Sequence, residues 1–84
     1  MIEVKVLLFA LLRDITGKDE LNIKVGEGAT VGDAITIIKR HLPALERFPI
    51  DSFMIAVNME YVSRDYLLKD GDIIAIIPPV GGGR

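Results

Sequence analysis

Cysteine is absent from this chain, and so is tryptophan. Without a thiol, the chain's own side chains supply neither a disulfide framework nor a thiolate nucleophile. A single histidine, His41, would leave a zinc site dependent on carboxylates, and none cluster at ligand spacing, so no metal is expected. No apolar run approaches the about 20 residues of a membrane span. The opening Met1-Ile2-Glu3-Val4-Lys5 is strand-like and lacks a signal peptide's layout, which makes a cytoplasmic location the expectation. Formal net charge is −2, with acids and bases dispersed, so no basic face for nucleic acid is expected either. Catalytic groupings are missing too. Asp14, Asp33, Glu46, Asp70 and Asp72 read as caps, turns and solvated charges, Ser63 has no visible base, and His41 reads as a helix-end cation. Gly26-Glu27-Gly28 lacks the Lys-Ser/Thr of a phosphate loop and reads as a turn.

What is present is one small domain of 84 residues, half of them hydrophobic, with a core that must be mainly aliphatic. Ile2, Val4, Val6 and Leu8 alternate with Glu3 and Lys5, predicting a strand with one buried face. Residues from Ala10 to Ile15 allow one or two short helical turns, closed by Gly17. Leu21, Ile23 and Val25 form one face of a second strand from Glu20 to Val25, antiparallel to the first. Thr30 is a good N-cap, and Asp33 completes an approximate capping box. Val31, Ala34, Ile35, Ile38 and Leu42 then trace a single apolar stripe, and Pro43 ends the helix. Leu45 to Ser52 reads as a connection, Phe53 to Val57 as a strand, and Asn58-Met59-Glu60 as a turn. Tyr61-Val62-Ser63 reads as a short return strand, Tyr66-Leu67-Leu68 as a helical turn, and Asp70-Gly71-Asp72 as a turn into a last strand from Ile73 to Ile77.

Two features do not fit a domain that keeps to itself. Leu7 and Phe9 fall on the face that Glu3 and Lys5 place in water, and Ile73 to Ile77 is apolar on both faces. One amphipathic helix covers one face of a sheet, so Leu7, Phe9, Ile73 and Ile77 read as an uncovered interaction patch. The second feature is the ending, Pro78-Pro79-Val80-Gly81-Gly82-Gly83-Arg84. Prolines stop strand pairing and stiffen the exit, and glycines leave a thin tip whose backbone can approach another surface closely. The chain thus divides into a folded unit over residues 1–77 and a flexible tail over 78–84. With no active site in the body, the terminal carboxylate becomes the candidate reactive group.

Over nearly its whole length the chain resembles the small subunits of molybdopterin synthase, which are ubiquitin-like sulfur carriers. The matching features are the opening Val4-Lys5-Val6-Leu7-Leu8-Phe9-Ala10 followed by Arg13, the Thr30-Val31 helix start and Ala56-Val57-Asn58. Tyr61-Val62-Ser63, Asp70-Gly71-Asp72 and the run Ile77-Pro78-Pro79-Val80 before the glycines complete them. The resemblance implies an α+β fold of the β-grasp type, a mixed sheet covered on one face by one main helix, with the first and last strands parallel at its centre. It also implies a sulfur-carrying, non-catalytic subunit. An E1-like enzyme uses ATP to adenylate the terminal glycine, and a persulfide donor converts it to a thiocarboxylate. The large subunit of molybdopterin synthase then takes in the tail and builds the dithiolene. No cofactor is bound permanently.

Carried over by position, Phe9, Tyr61 and Ile77 face the partner, Pro78, Pro79, Val80 and Gly81 occupy its channel, and Gly82 and Gly83 form the reacting end. Chains of this family end at Gly-Gly, whereas this one continues to Arg84. The expectation is that Arg84 is removed or is foreign to the native chain, the alternative being a lost carrier role. Two rival readings use the same residues differently: a protein modifier or a sulfur carrier for thiazole or tRNA, and a β-grasp interaction module with an inert tail.

Overall fold

The computed structural model describes residues 1–47 and 53–77. In chain order its elements are β1 (Ile2–Leu8), α1 (Ala10–Thr16), β2 (Glu20–Val25), α2 (Val31–His41), a 3-10 turn (Pro43–Arg47), β3 (Met54–Val57), β4 (Glu60–Tyr61) and β5 (Ile73–Ile77). The five strands form one mixed sheet in the order β2-β1-β5-β3-β4. β1 runs antiparallel to β2 and parallel to β5, so the first and last strands sit side by side in the centre as expected. The fold is α+β of the β-grasp type.

The parallel pairing has a visible anchor. Asp70 Oδ1 accepts the Glu3 N–H at 2.8 Å, and the Gly71 N–H donates to the Glu3 carbonyl at 2.8 Å. Gly71 holds φ at 87°, a left-handed conformation that favours glycine, and so brings the chain into β5 beside the start of β1. From there Lys5 pairs with Ile73, Leu7 with Ala75 and Leu8 with Ile76.

α2 is built as its sequence dictates. The Thr30 side chain accepts from the Asp33 N–H, and the Asp33 carboxylate accepts from the Thr30 N–H, giving a complete capping box. The Val31 and Gly32 N–H groups donate to the carbonyls of Tyr66 and Arg64, each at 2.9 Å. The donors of the first turn are therefore satisfied by a neighbouring loop as well as by the cap. Lys39, Arg40 and His41 occupy the last turn, where the helix dipole favours cations. Val31, Ala34, Ile35, Ile38 and Leu42 are all buried against the inner sheet face of Val4, Val6, Leu8, Ile23, Ile55, Ile74 and Ile76. Burial of each large aliphatic side chain contributes about 1.5–3 kcal/mol.

Some expectations need correction. The segment from Ala10 forms the two helical turns expected, ending one residue later at Thr16 and capped by Gly17 at φ 75°, and its fully buried Leu12 joins Leu45 of the 3-10 turn in the core. Tyr66-Leu67-Leu68 is not a helical turn. Leu67 bridges Thr30 in antiparallel fashion, and the Leu68 N–H donates to the Ala29 carbonyl at 2.9 Å. Backbone groups that a local turn would pair internally are drawn to the chain ahead of α2, which lets Leu68 bury in the core. The return strand begins at Glu60, one residue earlier than expected, and ends at Tyr61, while β3 starts at Met54 after a buried Phe53. The expected connection from Leu45 to Ser52 starts inside the 3-10 turn, and its later part lies outside the described residues. Among the described residues, no helix is long and apolar enough to cross a membrane.

Candidate partner-binding groove

Strand register decides what the uncovered face carries. Residues directly opposite one another in a sheet point to the same side. Leu7 pairs with Ala75, Ala75 with Ala56, and Ala56 with Tyr61, so these four form one row across β1, β5, β3 and β4. The row reads large, small, small, large. Two alanines in the middle leave a trough that Leu7 and Tyr61 wall in from the sides. A second row joins Ile77 to Met54, and continuing the β1–β5 register one place beyond Leu8 and Ile76 brings Phe9 beside Ile77.

The result is an apolar groove of about 490 Å³, lined by Leu7, Phe9, Ala56, Asn58, Met59, Tyr61, Ile73, Ala75 and Ile77. Phe9 is 45% exposed and Tyr61 65%, so large hydrophobic surface is presented to water on the face opposite α2. Contiguous exposed apolar surface of this kind is a feature of interaction sites. The other half of the same face is polar. Glu3, Lys5, Asn22 and Asp70 line a shallower hollow there, and the exposed Lys5 Nζ and Glu20 Oε1 approach to 3.9 Å, a contact of little energetic weight.

The end of the groove away from Phe9 is held by a polar clamp. Asn58 and Met59 form the two-residue turn between β3 and β4, with φ of 52° and 75°. Two-residue hairpin turns favour positive φ at both central positions. Asn tolerates that conformation, but an ordinary side chain such as Met carries a cost of about 1–2 kcal/mol. The Asn58 side chain donates to Asp72 Oδ1 at 2.9 Å and accepts from the Ile73 N–H at 3.0 Å, while the Asn58 N–H donates to the Ile73 carbonyl. Asp72, only 6% exposed, also accepts from the Lys69 N–H at 2.8 Å. Both carboxylate oxygens of Asp72 and both amide atoms of Asn58 thus have partners within the fold.

The lining of this groove is mostly apolar. Its polar side chains are Asn58, already fully engaged, and Tyr61. Ser63 donates to Asp65 and lies outside the lining. Among the described residues, no group of three acidic or histidine side chains is placed to hold a metal.

Of the residues that sequence reasoning singled out, Phe9, Tyr61 and Ile77 converge on this one groove, although they come from three separate parts of the chain. Pro78, Pro79, Val80, Gly81, Gly82 and Gly83 lie outside the described residues, as does Arg84. Sequence reasoning did not find the floor of Ala56 and Ala75 or the rim residue Met59. The alanines become significant only once strand register is known. Met59 carried a local signal, since it follows Asn in a turn between two short strands.

Known proteins share this fold. The ThiS family matches residues 6–83. The molybdopterin synthase sulfur carrier subunit of Chlamydomonas reinhardtii is 40% identical over 83 residues, covering 96% of this chain and 99% of that protein. The crystal structure of small archaeal modifier protein 1 from H. volcanii superposes with a TM-score of 0.87 at 30% identity, covering 95% of this chain and all of that one. A complex of subunits 1 and 2 of the molybdopterin-converting factor from Helicobacter pylori contains a chain that matches with a TM-score of 0.69 at 25% identity, over 98% of this chain and 100% of its own length. With a family match over most of its length and full-length relatives at this identity, the chain belongs to the ThiS family of ubiquitin-like sulfur carriers.

Proposed function

We propose that this chain is the sulfur carrier subunit of a molybdopterin synthase. The observation that carries the proposal is the uncovered apolar groove, which includes Ile77, the residue from which the tail departs. A partner seated on the groove through Phe9, Tyr61 and Ile77 stands where the tail leaves the domain. Six residues from Pro78 to Gly83 span about 20 Å when extended, which carries the terminus into a pocket while the domain stays outside. The full-length similarity to a molybdopterin synthase sulfur carrier subunit and to a chain held in a two-subunit complex supports the large subunit as that partner.

In this reading Arg84 is lost and Gly83 becomes the reacting terminus. An E1-like enzyme joins the Gly83 carboxylate to AMP and releases pyrophosphate. A persulfide on the sulfur donor displaces AMP to form an acyl disulfide, and a second thiol of the donor reduces that S–S bond and closes a disulfide. The released thiocarboxylate hands its sulfur to the pterin precursor in the large subunit, with water restoring the Gly83 carboxylate. Activation is needed because a carboxylate is a poor electrophile, whereas an acyl-adenylate has a good leaving group. Gly82 and Gly83 lack side chains, so the backbone can come close to the α-phosphate. The division into a domain over 1–77 and a tail over 78–84 belongs to the same reading, with ATP a substrate of the activating enzyme and no cofactor resident on this chain.

Intact-mass spectrometry of protein isolated from its native host tests the proposal. The expected mass is that of a chain ending at Gly83, with a fraction heavier by the difference between sulfur and oxygen. A chain that keeps Arg84 throughout, with no sulfur-bearing fraction, contradicts it. Similarity to small archaeal modifier protein 1 favours a second reading, in which the Gly83 carboxylate is joined to lysines of other proteins. Conjugates that accumulate in cells lacking the large synthase subunit would select that reading.

A further inference from the structure

Met59 occupies the second place of a turn in which glycine is free of steric cost, at φ 75°, and its side chain is 96% exposed. No packing within the described fold compensates for that conformation. The turn is nevertheless held firmly, because Asn58 is bonded to the buried Asp72 and to Ile73 on both sides. A strained position that the surrounding structure over-determines is a mark of function. The side chain held there lines the rim of the apolar groove.

We propose that Met59 is an anchor for the protein that receives the C-terminal carboxylate, and that Asn58 and Asp72 are positioning residues that hold it at the groove's rim. This rests on the carrier reading above. The occupant follows from where the chain leaves the fold. Ile77 lines the groove together with Met59, and the six residues that follow it, Pro78 to Gly83, end in the carboxylate to be delivered. A protein that takes in that terminus stands over this face and meets the rim. An unbranched thioether adapts its shape to irregular apolar surfaces, so the partner offers Met59 an apolar hollow and no charge. Methionine is retained where glycine would be easier because its side chain is used outside the fold.

The test is titration calorimetry of the full chain with the large synthase subunit, beside thermal melts of each variant. Met59→Gly is expected to melt no lower than the parent and to bind about tenfold more weakly, and Met59→Leu to bind like the parent. Asp72→Ala, measured where it is fully folded, is expected to weaken binding in the parent and to add little in the Met59→Gly background. Equal affinity of parent and Met59→Gly overturns the anchor, as does a lower melting temperature for Met59→Gly. Equal effects of Asp72→Ala in both backgrounds overturn the positioning role. A parent chain that does not bind the large subunit overturns the carrier reading, and the anchor with it.

Discussion

Phe9 and Ile77 stand on the outer face, where a charge replacing either side chain has water to enter. Phe9→Asp and Ile77→Lys are therefore expected to leave the circular dichroism spectrum unchanged and to weaken binding to the large subunit by about tenfold or more. An unfolded spectrum would place these residues in the core. The trough floor gives a complementary prediction. Ala75 faces outward between Leu7 and Ala56, so Ala75→Phe fills the groove from below. The domain should still fold, and the partner should no longer seat. Asp72 acts on the fold as well as on the rim. Asp72→Ala leaves the Lys69 N–H and the Asn58 amide without their acceptor, at an expected cost of about 1–3 kcal/mol, readable as a shift in urea midpoint. At this scale Phe9 was legible because it breaks the alternation of the first strand. Ala56 and Ala75 were not, because their role depends on which residues lie opposite them in other strands.

Elements differ in how much of their structure is local. α2 states its own beginning, buried face and end, from Thr30 and Asp33 through the Val31-to-Leu42 stripe to Pro43, and each signal is realised in the fold. Thr30→Ala removes one half of the capping box, and the expected loss of about 1 kcal/mol lowers the melting temperature of so small a domain by about 4–8 °C. A drop of less than a degree would mean that the Tyr66 and Arg64 carbonyls hold the helix start by themselves. The segment from Tyr66 to Leu68 marks the opposite case. Its composition suits a helical turn, but the Tyr66 carbonyl accepts from Val31 and the Leu68 N–H donates to Ala29, both far away in sequence. No window of sequence around Tyr66 contains that information. The short β4 is similar, since its two residues are strand only through pairing with Ala56 and Val57.

The sheet has two unlike faces, one covered by α2, and Ile77, the last of the described residues, lines the uncovered one. The fold class was legible from element order together with resemblance; the central parallel pairing of β1 and β5 came from resemblance alone, because periodicity does not specify neighbours. In the carrier reading the domain docks and the tail reacts, so each is separable from the other. A chain truncated after Ile77 keeps every strand pair of the sheet and is expected to melt with the full chain while supporting no sulfur transfer. In that reading the Gly83 carboxylate is the group activated. Pyrophosphate exchange with the purified E1-like enzyme tests it most directly, on one chain ending at Gly83 and another ending at Arg84. Exchange is expected for the first and not for the second, because an arginine side chain holds the terminal carboxylate away from the α-phosphate of ATP. Equal exchange rates for the two chains would mean that the activating enzyme does not read the Gly83 terminus.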